Sequence, residues 1–104
     1  MFDHGVRHLE AYIDFLSAVI LCAPDRFPKE SFLKDDQQLN LDRAFALLND
    51  RFGLVEDRVK KPEILPRLRE LLDAALVAYR QGEEVRGAHL VQDFRGLILE
   101  SVRR

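Results

Sequence analysis

Four prolines fall in two pairs, Pro24/Pro28 and Pro62/Pro66, and the segments they separate carry their apolar residues at helical intervals. Proline donates no backbone hydrogen bond and disfavours helix at the residue before it, so each pair marks a boundary. No segment shows the sustained apolar–polar alternation of a half-buried strand. With 104 residues, 47% of them apolar, the chain suffices for one core and is too short to divide into two. The expected fold is therefore all-α: a compact, bundle-like four-helix domain over residues 1–104, with helices near 3–22, 37–52, 64–81 and 83–102.

In the first helix Val6, Leu9, Ile13, Leu16 and Ile20 form one stripe, which Tyr12, Phe15 and Val19 widen. Asp3 suits its N-cap, since a carboxylate accepts from the free amides of a first turn. The stripe covers more than half the circumference, more than one neighbouring helix can bury. The helix is thus central in the domain or shared with a second subunit. A homodimer associating through Tyr12, Phe15 and Val19 is the expectation.

Residues 24–35 read as a loop, with Phe27, Phe32 and Leu33 folding back over the core. The second helix begins between Asp36 and Leu41. Asp35 with Gln38 resembles a capping box, and Asn40 is a competing cap. Leu41, Ala44, Phe45, Leu48 and Phe52 give its stripe. Gly53 suits a left-handed helix stop followed by a short helical piece over 54–60, although Val55 and Val59 keep the spacing of a helix running through to 60. In the third helix Ile64, Leu65, Leu68, Leu71, Leu72, Ala75, Leu76 and Tyr79 hold the periodicity, and Gly82 closes it. Glu83 and Glu84 then suit the first turn of a fourth helix, and Arg103 and Arg104 its last. So short a connection makes the last two helices an antiparallel hairpin, with Gly87 on the inner face allowing close approach.

The longest apolar run, Ala18 to Ala23, is far below the roughly 18 residues of a membrane span. The N-terminal residues carry an acid before any base and no uninterrupted apolar centre, unlike an export signal. The single cysteine, Cys22, forms no internal disulfide and reads as a small hydrophobe. A cytoplasmic protein is expected. Arginine outnumbers lysine 12 to 4, a hint of a GC-rich bacterial genome.

Few residues suggest chemistry. His4 and His8 are four apart and on a helix would share a face, a spacing that chelates zinc; the stronger pattern places a glutamate after the first histidine, where Gly5 stands here. No Glu-x-x-His occurs, which removes a bundle-core di-metal site. Ser17, Ser31 and Ser101 lack a nucleophile-elbow context, and Gly82 and Gly87 make no phosphate loop. No catalytic set assembles and no cofactor is implied. A helix-turn-helix over residues 45–59 is the most tempting motif. It would place Glu56 and Asp57 against phosphates, and Pro62 cuts its reading helix short, so nucleic acid is not the expected partner. On the fourth helix His89, Gln92, Asp93 and Arg95 form a polar strip suited to a protein partner.

The charges divide unevenly. Residues 1–57 hold 11 acids and 6 bases, a net of −5; residues 58–104 hold 7 acids and 10 bases, a net of +3. Complementary charge speeds encounter between proteins, as in neutralising proteins that engage basic toxins. The reading that follows is a non-enzymatic, self-associating interaction protein, of adaptor or neutralising type. The alternatives are the DNA-binding regulator through 45–59 and a bundle that binds a metal or small molecule.

Overall fold

A computed structural model describes residues 3–102, and Arg103 and Arg104 lie outside the described residues. Five α-helical segments follow one another: α1 (Leu9–Cys22), α2 (Leu41–Asp50), the single turn α3 (Gly53–Glu56), α4 (Leu65–Arg80) and α5 (Glu84–Ser101). Two 3-10 turns, at Asp35–Gln37 and Pro62–Ile64, precede α2 and α4. Among the described residues there is no strand. The four longer helices make the expected all-α, bundle-like globule.

The C-terminal hairpin is its centre. Gly82 takes the left-handed conformation (φ +82°), and its amide reaches the Tyr79 carbonyl at 3.1 Å while Glu83 reaches back to Ala78 at 2.9 Å. These two bonds close α4 and reverse the chain in the pattern a C-terminal glycine permits. Gly87 then lies against the Tyr79 ring, so close that a Cβ there would sit 2.9 Å from three ring carbons. α1 packs across α5 and touches α3, and α2 packs on α4.

The start of α1 departs from expectation. Asp3 caps no helix; its carboxylate accepts from Gly5 N–H at 2.9 Å and from Arg7 Nε at 3.0 Å. His4 (φ +50°) and Gly5 (φ +82°) are left-handed, so residues before His8 form a turn. The cap is His8, whose Nδ1 accepts from Ala11 N–H at 3.2 Å.

α2 is capped by Asn40, whose side chain accepts from Arg43 N–H at 2.8 Å. The loop before it is held by Gln38, which bonds the Glu30 backbone at both ends, and by Arg43, which donates to the Asp35 and Gln38 carbonyls. Phe27 packs half-buried against the core as expected; Leu33 is half-buried, and Phe32 is 76% exposed and does not return to the core. α2 stops at Asp50, before Gly53, and Gly53 opens α3 in an ordinary helical conformation.

The core joins all four longer helices through Leu9, Tyr12, Leu16 and Val19 of α1, Phe45 and Leu48 of α2, Leu68 and Leu72 of α4, and Val91, Phe94 and Ile98 of α5. Phe94 lies 6.4 Å from the Tyr12 ring and 6.3 Å from Phe52, with Phe45 6.0 Å from Tyr79. The Tyr12 hydroxyl donates to the Leu48 carbonyl at 2.8 Å, tying α1 to α2. The wide stripe of α1 is thereby explained within one chain. Tyr12, Phe15 and Val19 are all buried by their own core, so they do not form the self-association face expected of them.

Candidate functional site

The expected polar strip does come to the surface. On α5 the residues Val85, His89, Gln92, Asp93, Gly96 and Glu100 recur every three or four positions and point away from the buried face of Gly87, Val91, Phe94 and Ile98. All of them are exposed except Gly96, which is half-buried. A shallow cleft runs along each side of this ridge. The one toward α4 has a volume of about 350 Å³ and is walled by Arg67 and Leu71, with Gln92, Asp93, Gly96, Leu97 and Glu100 opposite. The one toward α1, about 500 Å³, is walled by Ser17, Ile20 and Leu21, with Gln92 and Arg95 opposite. Gln92 borders both. A third, of about 220 Å³, continues past Leu97 and Glu100 to Lys60, Lys61 and Ile64.

Three of the four strip residues thus share the outer face, and Arg95 is turned aside into the α1 cleft. Ser17, Ile20 and Leu21 were not assigned a role from sequence. Leu21 carried a signal: it lies off the apolar stripe of α1 and is 74% exposed.

The ridge is acidic although its half of the chain is net positive. The arginines of that half are drawn elsewhere. Arg58 pairs with Glu10 of α1 at 3.9 Å and Arg80 with Asp42 of α2 at 2.6 Å. Arg69 donates to Asn49 at 3.1 Å while its guanidinium lies 4.1 Å from the Phe52 ring centre. Asp93 and Glu100 have no ion-pair partner among the described residues. Gly96 stands between them, and a Cβ added there meets nothing within 4 Å. Glycine inside a helix costs about 1 kcal/mol relative to alanine. At Gly87 that cost answers to the Tyr79 ring; at Gly96 the fold itself asks for nothing.

The other candidates do not assemble. His4 sits in the left-handed turn and His8 at the cap, its Nδ1 engaged with Ala11, so the pair shares no helical face and the zinc-chelating spacing is not realised. Among the described residues no three His, Cys, Asp or Glu side chains gather as for a metal ion. The second helix of the would-be helix-turn-helix is the four-residue α3, too short to lie along a groove. Ser101 spends its hydroxyl on the Leu97 carbonyl at 2.7 Å. No described helix is long and apolar enough to cross a membrane. The chain matches no protein family, no curated protein and no solved structure.

Proposed function

We propose that this chain is a non-enzymatic protein-interaction module of adaptor or neutralising type, working in the cytoplasm, and that the outer face of α5 is its docking surface. Gly96 is the observation that carries this reading. It weakens α5 with no steric reason inside the fold, on a face flanked by two clefts and by carboxylates without an ion-pair partner among the described residues. A glycine so placed lets a partner's backbone come close to the helix, and Asp93 and Glu100 add electrostatic direction to the encounter.

The test is capture from an extract of the source organism by the wild-type chain and by two variants. Gly96→Trp fills the open space above α5 and leaves the core untouched. Asp57→Arg changes an exposed charge outside α5. With circular dichroism unchanged in both, a specific partner lost with Gly96→Trp and retained with Asp57→Arg is the expected result. Equal capture by all three chains, or none, refutes the proposal.

A further inference from the structure

Ten arginines are described, and nine of them reach an acceptor: Arg7, Arg26, Arg51, Arg58, Arg67, Arg80 and Arg86 a carboxylate, Arg43 two carbonyls and Arg69 an amide. Arg95 alone among them has none. Its Nε is closed off from solvent without a hydrogen-bond partner. The Arg51 Nε is buried too, but it has Asp50 at 3.5 Å. The Arg95 Nε is out of reach of an incoming ligand, so an acceptor in the cleft meets the Nη end of the guanidinium, which is not closed off and can take a carboxylate on two parallel bonds. Arg95 lies in the α1–α5 cleft with Ser17, Ile20, Leu21 and Gln92. The site therefore offers one uncompensated cation, two neutral hydrogen-bonding side chains and an aliphatic wall.

We propose that this cleft seats a carboxylate side chain of the docked partner on Arg95, with an adjacent apolar side chain of the same segment on Ile20 and Leu21. The inference rests on reading α5 as a protein-docking face, and it adds the chemistry of what docks. The aliphatic wall favours an acid attached to apolar surface over a hydrated phosphate. The source is a side chain and not a chain terminus. The amides of Ser17, Ile20 and Leu21 in the C-terminal part of α1, and of Gln92 and Arg95 within α5, are spent on their own helices, so no nest of free N–H groups is present for a terminal carboxylate. The cleft is also open along its length, which suits a side chain projected from a partner surface. Gln92 borders both this cleft and the outer ridge, so a segment lying across α5 at Gly96 reaches Arg95 from there.

The probe is an alanine-based helical peptide, blocked at both ends, carrying a Leu–Glu pair at i and i+4, against its Leu–Gln counterpart. The readout is the Arg95 Nε–H resonance and the Ser17 and Leu21 amides of the ¹⁵N-labelled full chain. The Glu peptide shifts these signals, and the Gln peptide binds at least tenfold more weakly. Arg95→Gln, with its dichroism spectrum unchanged, brings the Glu peptide down to the same level. Equal binding of the two peptides, shifts confined to other residues, or no shift at millimolar peptide overturns the proposal. A Leu–Gln peptide of the same length with a free C-terminal carboxylate that binds as well as the end-blocked Leu–Glu peptide also overturns it, by moving the source to a chain terminus. Shifts as expected, but capture indifferent to Gly96→Trp, leave the carboxylate seat standing and remove the docking face around it. Capture lost with Gly96→Trp but unaltered by Arg95→Gln does the reverse.

Discussion

Tyr12 and Tyr79 each bury a hydroxyl, and the two hydroxyls do opposite things. Tyr12 donates to the carbonyl of Leu48, in the last turn of α2, where carbonyls have no amide of their own helix to accept from. Tyr79 buries its hydroxyl with no acceptor. Tyr12→Phe should therefore cost about 1–2 kcal/mol, because it orphans a buried carbonyl, whereas Tyr79→Phe should be neutral or slightly stabilising. Urea unfolding of the two variants measures both. Burial also pushes both phenols above their ordinary value, with Glu84 adding to the effect at Tyr79. The unfolded chain then releases these protons at a lower pH than the folded one. Stability should be complete below about pH 10 and fall as pH rises beyond it. Tyr12→Phe should flatten that decline, and a slope unchanged by the substitution would contradict the assignment.

The two glycines of α5 separate structure from function at the scale of the element. Gly87→Ala drives a Cβ into the Tyr79 ring at 2.9 Å and should destabilise by about 1–3 kcal/mol. Gly96→Ala meets open space and should stabilise by about 1 kcal/mol, since the helix gains a better former at no steric cost. Thermal denaturation of the pair reads both signs at once. The helices themselves were largely legible in the sequence. α4 and α5 begin and end within a few residues of expectation because their spacing is long and Gly82 announces the turn. Where the reading failed, a particular side chain overrode the pattern. Asp3 met the demands of an N-cap but is used by a left-handed turn, which hands the cap of α1 to His8. The break between α2 and α3 was expected near Gly53, but Gly53 is not its left-handed stop, and part of the end of α2 is satisfied by Tyr12, 36 residues away, a partner that no local pattern displays.

Over the whole molecule, the division into an acidic front and a basic back does not survive folding. Arg58 and Arg80 cross to Glu10 and Asp42, Arg26 crosses the other way to Glu84 at 3.2 Å, and the outer ridge of the net-positive half is left with Asp93 and Glu100. Charge counted along a chain predicts a patch only when side chains stay with their own segment, and long arginines do not. The candidate site was legible in the same partial way. Helical spacing placed His89, Gln92 and Asp93 on one face. The contribution of Ser17, Ile20 and Leu21 depends on how α1 crosses α5, which periodicity does not encode. The breadth of the α1 stripe, read as a reason for a second subunit, is met by the core of a single chain. The most direct test of the docking face is photo-crosslinking from a reactive side chain at position 93, beside one at position 57, in extract of the source organism. The expected result is a discrete adduct with another protein from position 93 and none from position 57. Identical adducts from both positions, or none from position 93, would contradict it.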